Sequence, residues 1–435
     1  MNEMKDLKEL SVEILDLLKQ EGADDAMVTL SSGSMTEFNV DGGDLSLLRT
    51  LFNDSVAMMA IKDKKKGVIS VNSFEADDVK NAVKNCIEAA NSAIEDEALA
   101  ISELTENEDF LTGITKFDRE KLLYRIKEYM DDVARDYPKI IIEQLIVSYG
   151  MSERCVANTN GVCYTQQSGY YSLYSMFSAH EGENGTSFNG ISFDFYDLDT
   201  PLIEINRQRE DYERAEKELY AKAIDGKFVG KVLASPDMFA EFVGTALDNF
   251  ISDSVIIDGT SPWREKLNTK VASEKLSVRC IPTDERMIGA SLIHSDGYKN
   301  EDFDFIRDGV LKSFDLSLYA SNRTGLERVK ATSSCIEIDG GETPLDELIK
   351  SIDKGIFICR FSGGAPASNG DISGVAKNSF MIENGEITHA LTETMISGNL
   401  EEMINNIVEL SKENFCDGSS VLPYALIDGV TISGK

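Results

Sequence analysis

Leu7, Leu10, Ile14 and Leu17 or Leu18 recur at helical spacing near the start of the chain, so a helix is expected from about Lys5 to Gln20, stopped by Gly22. The period then changes. DAMVTLSS, MTEFNV, LSLLRTLF and SVAMMAIKD are short runs of strand character, parted by Gly33, Asp41-Gly42-Gly43 and Asn53-Asp54, and a second helix is expected over about Asp77 to Ala93. The stretch from Ile94 to Thr115 is acidic and aperiodic and reads as a linker.

A helical pattern over Asp118 to Asp136 opens a second unit, followed by the strand-like runs KIIIEQLIVSYG, SERCVAN, VCYTQQSGYYSLYSMFSA and SFNGISFDFYDLD, with Asn160-Gly161 as a hairpin signal. A polar helix is expected from about Ile203 to Ala223, ending before Asp225-Gly226. The third unit starts with an apolar strand, Val229 to Ala234. Ser235 is placed to cap a helix with Pro236 in its first turn, and Met238, Phe239, Phe242, Val243, Ala246, Leu247, Phe250 and Ile251 form a wide apolar stripe running to about Ser252. Asp308-Gly309 and Asn384-Gly385 mark hairpins, the latter a type I′ turn, and a helix is expected near Leu345 to Asp353.

This order of elements predicts an α+β, multi-domain protein with mixed or antiparallel sheets: an N-terminal α+β domain over 1–95, a central α/β linker domain over 116–224 and a larger β-rich C-terminal domain over 225–435. Composition keeps it among globular proteins, at 42% hydrophobic and 27% charged residues. The net charge of -33 opposes phosphate backbones and anionic lipid heads, so no direct nucleic-acid partner is expected. No run approaches the roughly 18 apolar residues of a membrane span. The seven cysteines, at 86, 155, 163, 280, 335, 359 and 416, form no CxxC pair and suit a reducing, cytoplasmic setting as small buried side chains.

Candidate chemistry is sparse. The three histidines form no HExxH pair. His180-Glu181 lies in the turn-rich HEGENGT, His294 lies in the polar IHSDGYKNED, and His389 shares a strand face with Ile387 and Leu391 as a hydrogen-bonded core residue. G-x-S-x-G, GxxxxGK[ST] and G-x-G-x-x-G are all absent. These residues alone lead to a multi-domain α+β protein and not to a function.

Four stretches add a resemblance: SPDMFAEFVGTALDNF, GTSPWREKLNTKVASEKLSV, FSGGAPASNGDISGVAKNSFMIENGEITHALTETMISGNL and SSVLPYALIDGVTISGK. Together they resemble the C-terminal region of the TldD/PmbA family, peptidase-related proteins once described as modulators of DNA gyrase, with weaker likeness across nearly the whole chain. TldD-type members resemble zinc peptidases with an HExxxH helix. On the AEFVGT segment here, the resemblance puts Ala240 and Thr245 where the two histidines would stand and Glu241 where the general base would stand, with Cys416 near the position of a cysteine ligand.

The pattern is similar to PmbA-type, or TldE-type, members. It implies a subunit without its own zinc site that helps a TldD-type partner, which carries the zinc, to process unfolded or linear peptides. Gly363, Gly364, Asn369, Gly370 and Asp371 would shape a peptide-binding or interface loop, or serve as plain turn chemistry. The alternatives are a stand-alone metallopeptidase using Cys416, Glu241 and a histidine brought in by folding, and a non-catalytic peptide-binding homodimer.

Overall fold

A computed structural model describes residues 6–392 and 394–434. The first helix, α1, spans Leu7–Gln20 and buries Leu7, Leu10, Ile14 and Leu18 as the spacing predicts; Lys5, where it was expected to begin, lies outside the described residues. Its N-cap is Asp6, which accepts from the Lys8 amide at 2.8 Å.

Two long strands follow, β1 (Asp25–Asp41) and β2 (Asp44–Lys62), then β3 (Lys65–Val71) and α2 (Ala76–Ser92). The breaks expected at Gly33 and Asn53-Asp54 do not occur. Gly33 pairs with Asn53 in an unbroken ladder, and Ser32 Oγ donates to Asp54 Oδ1 at 2.7 Å across the same pair of strands. Pairing of β1 on both sides outweighs the local turn preference of these residues. Only Asp41-Gly42-Gly43 turns the chain, with φ of 59° and 90° at the two glycines.

Within the expected linker, Asp109–Gly113 forms β4. Beyond it come α3 (Arg119–Asp136), β5 (Ile140–Asn158) and β6 (Cys163–Glu181). The first sheet has the order β3-β2-β1-β5-β6-β4, so it runs continuously through both of the first two expected units: β1 pairs with β5 from Met27–Asn158 to Asp41–Gln144. The polar helix shortens to α4, Gln208–Glu218, after a single 3-10 turn at Leu202–Glu204. Asn206 stands between them at φ 60°, which interrupts the helix.

The second sheet, with 12 strands among the described residues, is mixed. Strand Lys227–Ala234 runs parallel to Lys354–Gly363 and antiparallel to Ser420–Ser433. Helix α5, Pro236–Ile251, packs its whole expected apolar stripe against this sheet, within the largest buried cluster. Phe250 meets the fully buried Trp263 at a ring distance of 4.8 Å, and the Trp263 indole N–H donates to Glu401 Oε1 at 3.1 Å. Asp308-Gly309 and Asn384-Gly385 turn the chain with positive φ at both residues, as type I′ hairpins require. No described helix is long and apolar enough to cross a membrane.

Candidate functional site

Ser235 fixes the start of α5: its hydroxyl accepts from the Met238 amide at 3.3 Å, with Pro236 in the first turn. With one face committed to the core, the helix turns Glu241 to the surface. The surrounding protein raises the Glu241 pKa by burial, against the pull of Arg360 on the neighbouring strand. Ala240 packs partly buried against the core and Thr245 is half-buried.

A methyl group offers no lone pair, and a neutral hydroxyl is a poor substitute for imidazole. Among the described residues, no three His, Cys, Asp or Glu side chains converge to hold a metal ion. The donors along this helix therefore do not fit a zinc site. Cys416 ends strand Ile407–Cys416 at the surface, with its sulfur 3.7 Å from the Arg286 carbonyl and its thiol pKa raised by burial.

The histidines lie apart from one another. His180 sits at the end of β6, 3.0 Å from Ser178 Oγ. His294 is buried in its loop, where it accepts from the Asp296 amide at 3.0 Å and stacks on Tyr298 at 4.2 Å; burial lowers its pKa to about 4 and keeps it neutral. His389 is not the core residue its strand pattern suggested. A bulge in the ladder pairs Met381 with His389 but Ile382 with Ile387, breaking the alternation and leaving His389 half-buried against Thr388 while Ala390 and Leu391 are both buried.

The glycine-rich segment is a hairpin whose two strands, Lys354–Gly363 and Asp371–Glu383, flank a loop over 364–370. Gly363 and Gly374 face each other under the Phe361 ring, where an added Cβ would lie 2.4 and 2.5 Å from ring atoms. Gly370 has φ 89°, and a Cβ there would come within 2.8 Å of Phe250. A Cβ added at Gly364 would meet nothing within 4 Å. Asn399 ties the loop end together, donating to the Asn369 carbonyl at 2.8 Å and to Asp371 Oδ1 at 3.0 Å. Asn369, Asn399, Glu401, Glu402, Asn405 and Asn406 line an open polar depression of about 650 Å³ beside it. The structure thus brings Asn369, Gly370 and Asp371 together, with Gly363 and Gly364 at the other end of the same loop.

Sequence reasoning missed a charged layer beneath α4. Arg207, Asp211, Arg214 and Glu218 recur at helical spacing and face the second sheet, in the place where an apolar stripe would ordinarily stand. The Arg207 guanidinium pairs with Asp237 at 2.5 Å and lies over Phe415 at 5.0 Å. Burial raises the Glu218 carboxyl to about 7, although hydrogen bonds from Asn378 and Asn189 oppose the rise. The spacing of these charges was the available signal. Of the cysteines read as buried, Cys416 is exposed, and Cys163 and Cys359 are only partly buried.

Residues 226–434 match the PmbA/TldA metallopeptidase C-terminal domain. The chain is 22% identical to "Metalloprotease MJ0996" of Methanocaldococcus jannaschii, over 95% of its own length and 96% of that protein's. It is 27% identical to "Metalloprotease PmbA" of Escherichia coli O157:H7, over 45% of its length and 46% of that protein's. In fold it is similar to the crystal structure of TldE from Thermococcus kodakarensis, with a TM-score of 0.83 at 18% identity, covering 98% of this chain and all (100%) of the other. The C-terminal part of the chain, residues 226–434, belongs to the PmbA/TldA metallopeptidase C-terminal domain family.

Proposed function

We propose that this chain is a PmbA-type, non-catalytic subunit of a cytoplasmic metallopeptidase, which binds linear peptides together with a zinc-bearing TldD-type partner. The observation that carries this reading is the composition of α5: Ala240 and Thr245 flank Glu241 on a helix that carries no imidazole ligand. Without a metal to polarise water, Glu241 is a solvated surface carboxylate rather than a general base.

A surface suited to a partner supports the subunit role. β3 pairs with β2 only from Val56 onward, so Asp44 to Ser55 presents an open strand edge among the described residues. Leu45, Leu47, Leu48, Leu51 and Phe52 are all exposed there, Phe52 at 81%. An apolar, open edge on a protein of net charge -33 favours coverage by another subunit. Past Ile358, where its pairing with Lys227–Ala234 ends, the strand Lys354–Gly363 is paired on one side only among the described residues, and Arg360–Gly363 supplies extended backbone for sequence-tolerant pairing with a peptide.

Co-expression with a TldD-type protein tests the proposal. A stable complex, and peptide hydrolysis at least tenfold above that of the partner alone, is the expected result. Undiminished hydrolysis by the partner alone overturns it.

A further inference from the structure

Cys155 and Cys163 lie at the closed end of the β5–β6 hairpin. The ladder pairs Cys155 with Thr165 and Ala157 with Cys163, so the two cysteines are diagonal neighbours on one face of the sheet. Each thiol shifts the titration of the other. They differ in access: Cys155 is fully buried in the cluster beneath α1, whereas Cys163 is only partly buried beside it.

The groups around the pair are well defined. Lys8 and Asp6 come from the start of α1 and Asp109 from β4, and Ser11 of α1 donates its hydroxyl to the Lys8 carbonyl at 2.7 Å. Lys8 pairs with Asp109 at 2.7 Å, and Thr165 donates to Asp109 at 2.6 Å. The Cys163 backbone N–H donates to Asn107 Oδ1 at 2.8 Å, which fixes the strand carrying the thiol.

We infer that Cys163 and Cys155 form a peroxide-reactive dithiol, in which Cys163 is oxidised by a hydroperoxide and Cys155 resolves the product as an intrachain disulfide. The thiolate is the attacking form. The neighbouring Cys155 thiol and the charge of Lys8 lower the Cys163 thiol, against burial, while the same neighbour and burial push Cys155 up and keep it protonated. Each of the other five cysteines has its thiol raised by burial, Cys416 included, so Cys163 alone of the seven is shifted towards the thiolate.

The chemistry balances in two steps. The Cys163 thiolate attacks one oxygen of hydrogen peroxide and breaks the O–O bond; the departing hydroxide takes up a proton and leaves as water, and Cys163 becomes a sulfenic acid. Cys155 then attacks the Cys163 sulfur, displacing hydroxide, which takes up the Cys155 proton and leaves as a second water. Two thiols are oxidised by two electrons, and one peroxide is reduced. The disulfide closes to an S–S distance of about 2 Å between adjacent strands of one hairpin. This inference is independent of the subunit reading.

The test treats the full-length protein with hydrogen peroxide, alkylates free thiols, reduces, alkylates with a second reagent and locates both labels by mass spectrometry. The expected result is joint, reductant-reversible loss of Cys155 and Cys163 at least tenfold faster than loss of Cys416. In Cys155→Ser, Cys163 should stop at the sulfenic acid and take up dimedone. Loss of Cys163 no faster than of Cys416, or equal dimedone labelling in wild type and Cys155→Ser, overturns the inference. The wild-type rates decide the matter even if the variant fails to fold.

Discussion

The Asn378 side-chain nitrogen lies 3.0 and 2.9 Å from the two carboxylate oxygens of Glu218, and 2.7 Å from Asn189 Oδ1. One amide thus joins α4, the first sheet and the second. Burial raises Glu218 to about 7. Its folded pKa exceeds the unfolded value, so the native state favours the protonated acid. The stabilisation is fully present below about pH 4.3, the unfolded range for glutamate, and is lost as pH rises through about 7. Glu218→Gln should flatten stability between these limits and exceed wild type above pH 7 by up to about 3 kcal/mol. Urea denaturation at pH 5 and pH 8 checks this, and parallel pH curves for the two proteins contradict it.

The glycines of the hairpin should separate structural from functional roles. Gly370→Ala places a side chain at φ 89° against Phe250, and Gly374→Ala meets the Phe361 ring at 2.5 Å. Each should cost about 1–3 kcal/mol. Gly364→Ala meets nothing within 4 Å and should leave the melting temperature unchanged. A fall in peptide binding by Gly364→Ala at constant stability would assign that position to the peptide.

Helix α5 is an anchor before it is anything else. Phe250→Ala removes a fully buried ring that packs against Trp263, and a loss of about 3–5 kcal/mol is expected. Ser235→Ala, which removes the cap to Met238, should cost about 1 kcal/mol. Chemical denaturation ranks the two; equal effects would mean that the stripe does not carry the packing.

Docking through the β2 edge predicts a selective defect. Phe52→Asp changes an 81% exposed residue and should leave the monomer's stability within about 0.5 kcal/mol of wild type. It should weaken association with a TldD-type partner at least tenfold, as read by titration of the two purified chains. Unchanged affinity would place the contact elsewhere.

Local rules were enough for α5 and for the two I′ turns, because the apolar stripe, Ser235-Pro236, Asp308-Gly309 and Asn384-Gly385 each specify backbone by themselves. They failed where pairing overrides preference. Gly33 and Asn53 look like breaks, yet they face each other within one ladder. Asn206 separates a 3-10 turn from α4 where a continuous helix was expected, and the bulge near His389 shifts a face that simple alternation assigns to the core. At the candidate site, Ala240, Glu241 and Thr245 were legible because a helix fixes their relation. The Glu218–Asn378 contact and the Cys155–Cys163 pair depend on register and on packing between sheets, which spacing along the chain does not carry.

Peptide hydrolysis by the reconstituted pair, assayed with Glu241→Gln in this chain and, separately, with the HExxxH glutamate of the partner changed to glutamine, tests the central claim most directly. A non-catalytic role for this chain predicts activity within about twofold of wild type for Glu241→Gln and loss of at least a thousandfold for the partner variant. Comparable loss from Glu241→Gln, with the complex intact, would contradict it and make Glu241 a working group.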